Sequence, residues 1–153
     1  MFFKRALILL LSAVLPTTLA GCSHQLSEQE IIAKAADIHK KALTIDTHVD
    51  IKPVYATKEL DPGVDNPRLK CDLVKMNKGG MDGVFLVVYV AQTQRDEEGY
   101  KQAYDEAMVK FEAIHRVAEQ MYPGRCKLAT KPDEVERIAK SGKRAIMIGI
   151  ENG

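Results

Sequence analysis

The 153-residue sequence has little charge of either sign to spare: 22 Lys and Arg stand against 21 Asp and Glu. That balance gives no electrostatic case for nucleic acid, whose phosphates select strongly basic surfaces. Also missing are any Cys-x-x-Cys, any Gly-rich phosphate loop and any Gly-x-Ser-x-Gly turn. Their absence removes the usual signatures of thiol redox chemistry, nucleotide binding and serine hydrolysis. There is no internal repeat and no low-complexity segment. What remains is an ordinary globular composition, 46% apolar, which can build one core and is short for a second domain.

The N-terminus reads as an address rather than as fold. Lys4 and Arg5 form a basic region, Ala6 to Leu15 form an apolar one, and Leu-Ala-Gly-Cys follows at 19–22. The apolar run is too short to span a bilayer. Its ending resembles the lipobox of bacterial lipoproteins, which implies removal of residues 1–21 as a signal peptide and lipidation of Cys22. A plain secretory signal cleaved near Ala20 is the alternative. The resemblance implies an envelope location on the periplasmic face, and Ser23 after the lipid-bearing Cys favours the outer membrane. Without residues 1–21, twenty basic residues face 21 acidic ones. Of the three Cys, Cys71 and Cys126 are then left either to pair or to remain separate buried thiols.

After a tether, 22–27, Ser27 and Glu30 make a capping box that starts a helix over about 28–42. Residues 43–51, LTIDTHVDI, read as a strand, and residues 52–68, with Pro53, Pro62, Gly63 and Pro67, as a long loop of the kind that borders sites. A short helix stopped by Gly79 follows, then MDGVFLVVYVA, apolar on both faces like a strand of a covered parallel sheet. Tyr100, Tyr104, Ala107, Met108, Phe111, Ile114, Ala118 and Met121 repeat every three or four residues, which predicts a helix ended by Pro123-Gly124. A helix from Pro132 to Lys140 leads into a last strand, AIMIGIE. This order predicts a parallel α/β fold.

Chemistry concentrates at two strand ends. Residues two apart in a strand share a face, so Asp46, His48 and Asp50 are expected inward while Ile45, Thr47 and Val49 go outward to helices. His48 and Asp50 could converge on one cation, as imidazole nitrogen and carboxylate oxygen do for zinc. By the same parity Ile146, Ile148 and Ile150 pack on helices, and Ala145, Met147, Gly149 and Glu151 face inward. Parallel strands open at one rim, so Glu151 can meet His48 and Asp50 there; an unpaired carboxylate flanked by Ile and Gly would otherwise be costly to desolvate. Taken singly, Asp50 could cap the following loop and Glu151 could lie at a frayed end. Asp46 lies deeper and suits a supporting hydrogen bond. His24, His39 and His115 read as structural or solvated, and Cys71, Cys126 and the Met residues as core.

TIDTHVDI, CDLVKMNKGGMDGVFLVVYV and AIMIGIENG, in that order, resemble the N-terminal third of the membrane (renal-type) dipeptidases, zinc enzymes of the metal-dependent hydrolase superfamily. The likeness runs from about residue 42 to the last residue. It implies a partial (β/α)8 TIM-type barrel, with the first three or so strands present in 28–153. It also implies a two-zinc centre, in which His48 and Asp50 ligate the first ion and Glu151, the catalytic carboxylate, bridges both. The activity implied is hydrolysis of a dipeptide by a metal-bridging hydroxide. Another hydrolysis on the same scaffold, such as β-lactam or lactone opening, or a non-catalytic envelope lipoprotein, are the alternatives. Implied partners are a dipeptide and the membrane, through the lipid on Cys22; the oligomeric state stays open, with a homodimer compatible. Thr47 and Val49 replace the Gly and Asn common in the family. Its second-zinc histidines lie downstream of Gly153, so the 153 residues alone are expected to be inactive.

Overall fold

A computed structural model of the chain describes residues 25–152. The signal-peptide and lipid-anchor readings for residues 1–22, and His24, lie outside the described residues. Nine segments follow one another: α1 (Glu28–Lys41), β1 (Ile45–Asp50), α2 (Leu73–Gly79), β2 (Gly83–Tyr89), α3 (Glu97–His115), a π-helical continuation (Arg116–Met121), β3 (Cys126–Leu128), α4 (Pro132–Lys140) and β4 (Arg144–Glu151). The four strands make one parallel sheet in the order β1-β2-β4-β3. This is the parallel α/β arrangement expected, with one strand more than the three read from sequence. β3 escaped notice because three residues are too few to show an alternation.

The strand order explains where the helices lie. From β1 to β2 and on to β3 the chain advances across the sheet, but from β3 to β4 it steps back. Right-handed connections then require α4 to lie on the opposite face from α2 and α3. The packing agrees. Val84, Leu86, Val88 and Ile146 form one core with Met76 of α2 and with Ala113, Ile114 and Val117 of the α3 segment. Ala145 and Met147 form a second core with Val135 and Ile138 of α4, against which Phe85 packs. The inward face therefore has α4 across its base rather than being wholly open.

Helix boundaries follow local chemistry. Asp96 caps α3 by accepting from Gly99 N at 2.8 Å, and a Cβ at Gly99 would fall 2.0 Å from Gln94 O. The helix turns Lys110, Ala113 and Ile114 inward, whereas Tyr100 and Tyr104 are more than 60% exposed; the expected apolar stripe holds only in its C-terminal half. α2 includes Gly79, and it is Gly80, at φ 67°, that ends it. α1 has its capping box but buries no residue. Apolar burial supplies about 1.5–3 kcal/mol per large side chain, so α1 is the weakest-held element, tied by His39 Nε2 to Gly79 O at 2.9 Å.

The long loop contributes to the core. Tyr55, Ala56 and Leu60 are buried. Its long-range bonds come from Arg116 Nε to Ala56 O, from the Tyr122 hydroxyl to Asp61 and from Arg125 to Gly63 O. Asp72 closes it: a buried N-cap that accepts from Val74 N at 3.0 Å, Lys75 N at 2.8 Å and Asn66 N at 3.2 Å, and pairs with the Lys75 ammonium. Burial alone would raise the Asp72 pKa, but the bonds from Lys75 and Asn66 outweigh it and hold the carboxyl below its ordinary value. Both described cysteines are unpaired thiols, Cys71 partly and Cys126 fully buried. Burial pushes each thiol up to about 11.

Asp72→Ala removes the cap and leaves buried N–H groups unmatched, and should lower the unfolding free energy by about 2 kcal/mol in a urea titration. Because the folded pKa of Asp72 is depressed, its contribution is present above the ordinary carboxylate pKa and is lost as pH falls through the folded value. Asp72→Asn should accordingly flatten the acid limb of the stability curve. In the native chain at pH 8, Cys126 should resist a maleimide that labels it fully in denaturant, since reaction needs exposed thiolate; equal labelling rates in both states would contradict its burial.

Candidate metal centre

Three side chains meet at the C-terminal rim of the sheet. His48 Nε2 lies 3.0 Å from Glu151 Oε2 and 3.6 Å from Asp50 Oδ1. One ligand atom from each residue falls within 4.8 Å of the others. The register shows why. Asp50 stands opposite Val87 on β2, and Val87 opposite Gly149 on β4. Glu151 is two residues on from Gly149, on the same face, so the glycine leaves its neighbourhood clear between the strand ends.

The three side chains keep roughly half or more of their surface. Glu151 is thus neither buried nor unpaired, and the desolvation argument for a cation gives way to a geometric one. Two carboxylates flank one imidazole at spacings that bracket the ligand–ligand edge of a tetrahedral zinc site, on the order of 3.3 Å for metal–ligand bonds near 2 Å. The donor set, one nitrogen and two oxygens, suits zinc and other borderline divalent ions.

Asp46 departs from the parity expectation. Ile45 pairs with Gly83 and Asp46 with Val84, but Val49 pairs with Leu86 and Asp50 with Val87, so β1 carries an extra residue between Asp46 and Val49. Such a bulge reverses the faces on its two sides. Ile45 is found on the Gly83 and Met147 side, 3.5 Å from where a Gly83 Cβ would stand, and is 40% exposed. Asp46 shares the face of Val84, and its charge raises the pKa of Cys71, after the larger effect of burial. It does contact the site through the backbone, since its Oδ1 accepts from His48 N at 2.9 Å.

His39 bonds to Gly79 and His115 pairs with Glu119 at 2.9 Å, so both lie away from the rim cluster. Ile150, expected against helices, is 64% exposed and lines an apolar groove of about 520 Å³ with Val88, Tyr104 and Phe111.

Two residues near the rim were not singled out from sequence. Lys110 is 3% exposed; its ammonium donates to Tyr89 O, pairs with Glu106 at 2.9 Å and lies 5.8 Å from the Tyr89 ring centroid. Its position three residues after Ala107 and four before Ile114 was the available signal. Asn152 has a φ of 60° and donates to Val90 O at 2.9 Å. An Asn before Gly is a turn signal that could have marked it.

Residues 32–153 match the membrane dipeptidase family, peptidase family M19. The chain belongs to that family. A solved structure described as the probable dipeptidase PvdM from Pseudomonas aeruginosa superposes with a TM-score of 0.72 at 19% identity. The likeness covers 81% of this chain and 32% of that one, and at such identity it speaks for the shared fold. No curated protein matches. The parallel sheet is thus a segment of the barrel, with its rim cluster on the face and at the end where barrel enzymes place their chemistry.

Proposed function

We propose that the whole protein is a zinc-dependent dipeptidase and that His48, Asp50 and Glu151 are its contribution from this segment to a two-metal centre. The observation carrying this reading is the convergence of the three side chains within 4.8 Å at the strand ends of a chain that belongs to the membrane dipeptidase family. His48 and Asp50 would hold the first ion. Glu151, 3.0 Å from His48, would be the carboxylate that serves both ions. Zinc bound there supplies Lewis acidity toward a peptide carbonyl and activates water at neutral pH.

The chain's own residues do the positioning. Asp46 fixes the backbone of His48 through its N–H, which orients the imidazole that must present its nitrogen to the cation. Gly149, which has no side chain, leaves the space beneath Glu151 clear. Three donors fill the protein coordination of one ion and leave little for a second, so the 153 residues alone are expected to bind zinc without turning over dipeptides.

We further assign residues 1–21 as a signal peptide and Cys22 as the site of a lipid anchor at the envelope membrane, the outer membrane being favoured. The Leu-Ala-Gly-Cys sequence supports this. Among the described residues no helix is long and apolar enough to cross a membrane.

The zinc-reconstituted whole protein should cleave an unmodified dipeptide, with kcat/KM falling by roughly 10³-fold or more in Glu151→Gln, as loss of a metal-bridging carboxylate implies. Absence of any dipeptide cleavage, together with unchanged metal binding in Glu151→Gln, would sink the reading. For the anchor, Cys22→Ser should move the protein from the membrane to the soluble fraction of a cell lysate; retention in the membrane would refute lipidation at Cys22.

A further inference from the structure

We infer that Asn152 is a positioning residue for Glu151, an inference that rests on reading Glu151 as a metal ligand. The β2–β4 ladder ends with Tyr89 opposite Glu151. Beyond it only a long backbone bond remains, from Val90 N to Glu151 O at 3.4 Å. Asn152 then enters the left-handed region at φ 60°, which costs Asn less than most residues that carry a Cβ.

That turn brings its side-chain amide onto the segment just after β2, where Nδ2 donates to Val90 O at 2.9 Å and Oδ1 accepts from Gln92 Nε2 at 3.3 Å. The side chain supplies the rung that the departing backbone no longer makes. Asp50 needs no such device, because Ile51 directly after it is buried at 5% exposure and anchors the end of β1.

On β4 the residue after Glu151 is the polar Asn152, and the apolar residue before it, Ile150, is 64% exposed. Hydrophobic burial therefore does not hold this strand end, and hydrogen bonding must. With Asn152 in place, Glu151 is pinned between the ladder and the side-chain rung, and its carboxylate starts from a fixed point 3.0 Å from His48 Nε2. Without it, Glu151 would have to be ordered at the expense of metal affinity.

The test uses the full chain with Asn152→Gly, which tolerates the same φ and removes the amide, and Asn152→Asp, which sets a carboxylate against Val90 O. Zinc dissociation constants are measured by competition with a chromogenic chelator, alongside Tm. In metal-free protein, NMR follows exchange of the Val90 N–H and the Glu151 carboxyl carbon signal. Both variants should bind zinc about tenfold more weakly at unchanged Tm, with faster Val90 exchange and a shifted Glu151 signal. Zinc binding by Asn152→Gly at the parent affinity overturns the inference. If Glu151→Gln binds zinc as the parent does, it is the ligand reading that fails; the Asn152 inference is then decided by the metal-free spectra, and Val90 and Glu151 signals unchanged in Asn152→Gly overturn it.

Discussion

Seven consecutive residue pairs join β2 to β4, from Gly83 with Ala145 to Tyr89 with Glu151, and everything else hangs on that register. A slip of one residue would turn Glu151 to the helix face and Ile150 to the rim. The register is protected by unequal faces: Val84, Leu86 and Val88 meet the α2 and α3 core, while Phe85 and Met147 meet α4. Two sets of apolar side chains, each fitted to its own helix, exclude the alternative pairing. The rim carboxylate inherits its position from burial well below it.

β1 carries an irregularity that has a purpose in geometry. The extra residue between Asp46 and Val49 lets the strand meet β2 with Val49 and Asp50 correctly faced while Asp46 turns away to hold the His48 backbone. One carboxylate of the Asp-x-His-x-Asp row thereby supports the strand, while the other stays at the rim beside the imidazole. A regular strand would have placed all three polar groups on one side, with the deepest carboxylate close to the others and repelling them.

Sequence periodicity made the His48, Asp50 and Glu151 convergence legible, because it needs only the period of two and the common rim of parallel strands. It misplaced Asp46, since a bulge depends on pairing with β2 and leaves no mark in β1 itself. It missed β3, whose three residues show no period, and with it the reversal that sends α4 across the sheet. In α3 the aromatic residues Tyr100 and Tyr104 suggested a buried stripe, but the face turned inward runs through Lys110, whose charge suggested solvent. The ammonium is accommodated because Glu106 and the Tyr89 carbonyl receive it. Capping signals were the most faithful: Ser27 with Glu30, Pro132 and the glycines after α2 each mark a boundary within a residue or so.

α4 has a consequence for access. By packing Val135 and Ile138 on Ala145 and Met147, it gives the concave side of the sheet a floor at the end where the strands begin. The three candidate ligands stand at the other end, each with half or so of its side chain in contact with solvent. An ion or small molecule can therefore reach the ligands directly from solvent at the rim, while the other end of the same face offers only an apolar cavity of about 570 Å³ lined by Ile45, Phe85, Val135 and Met147.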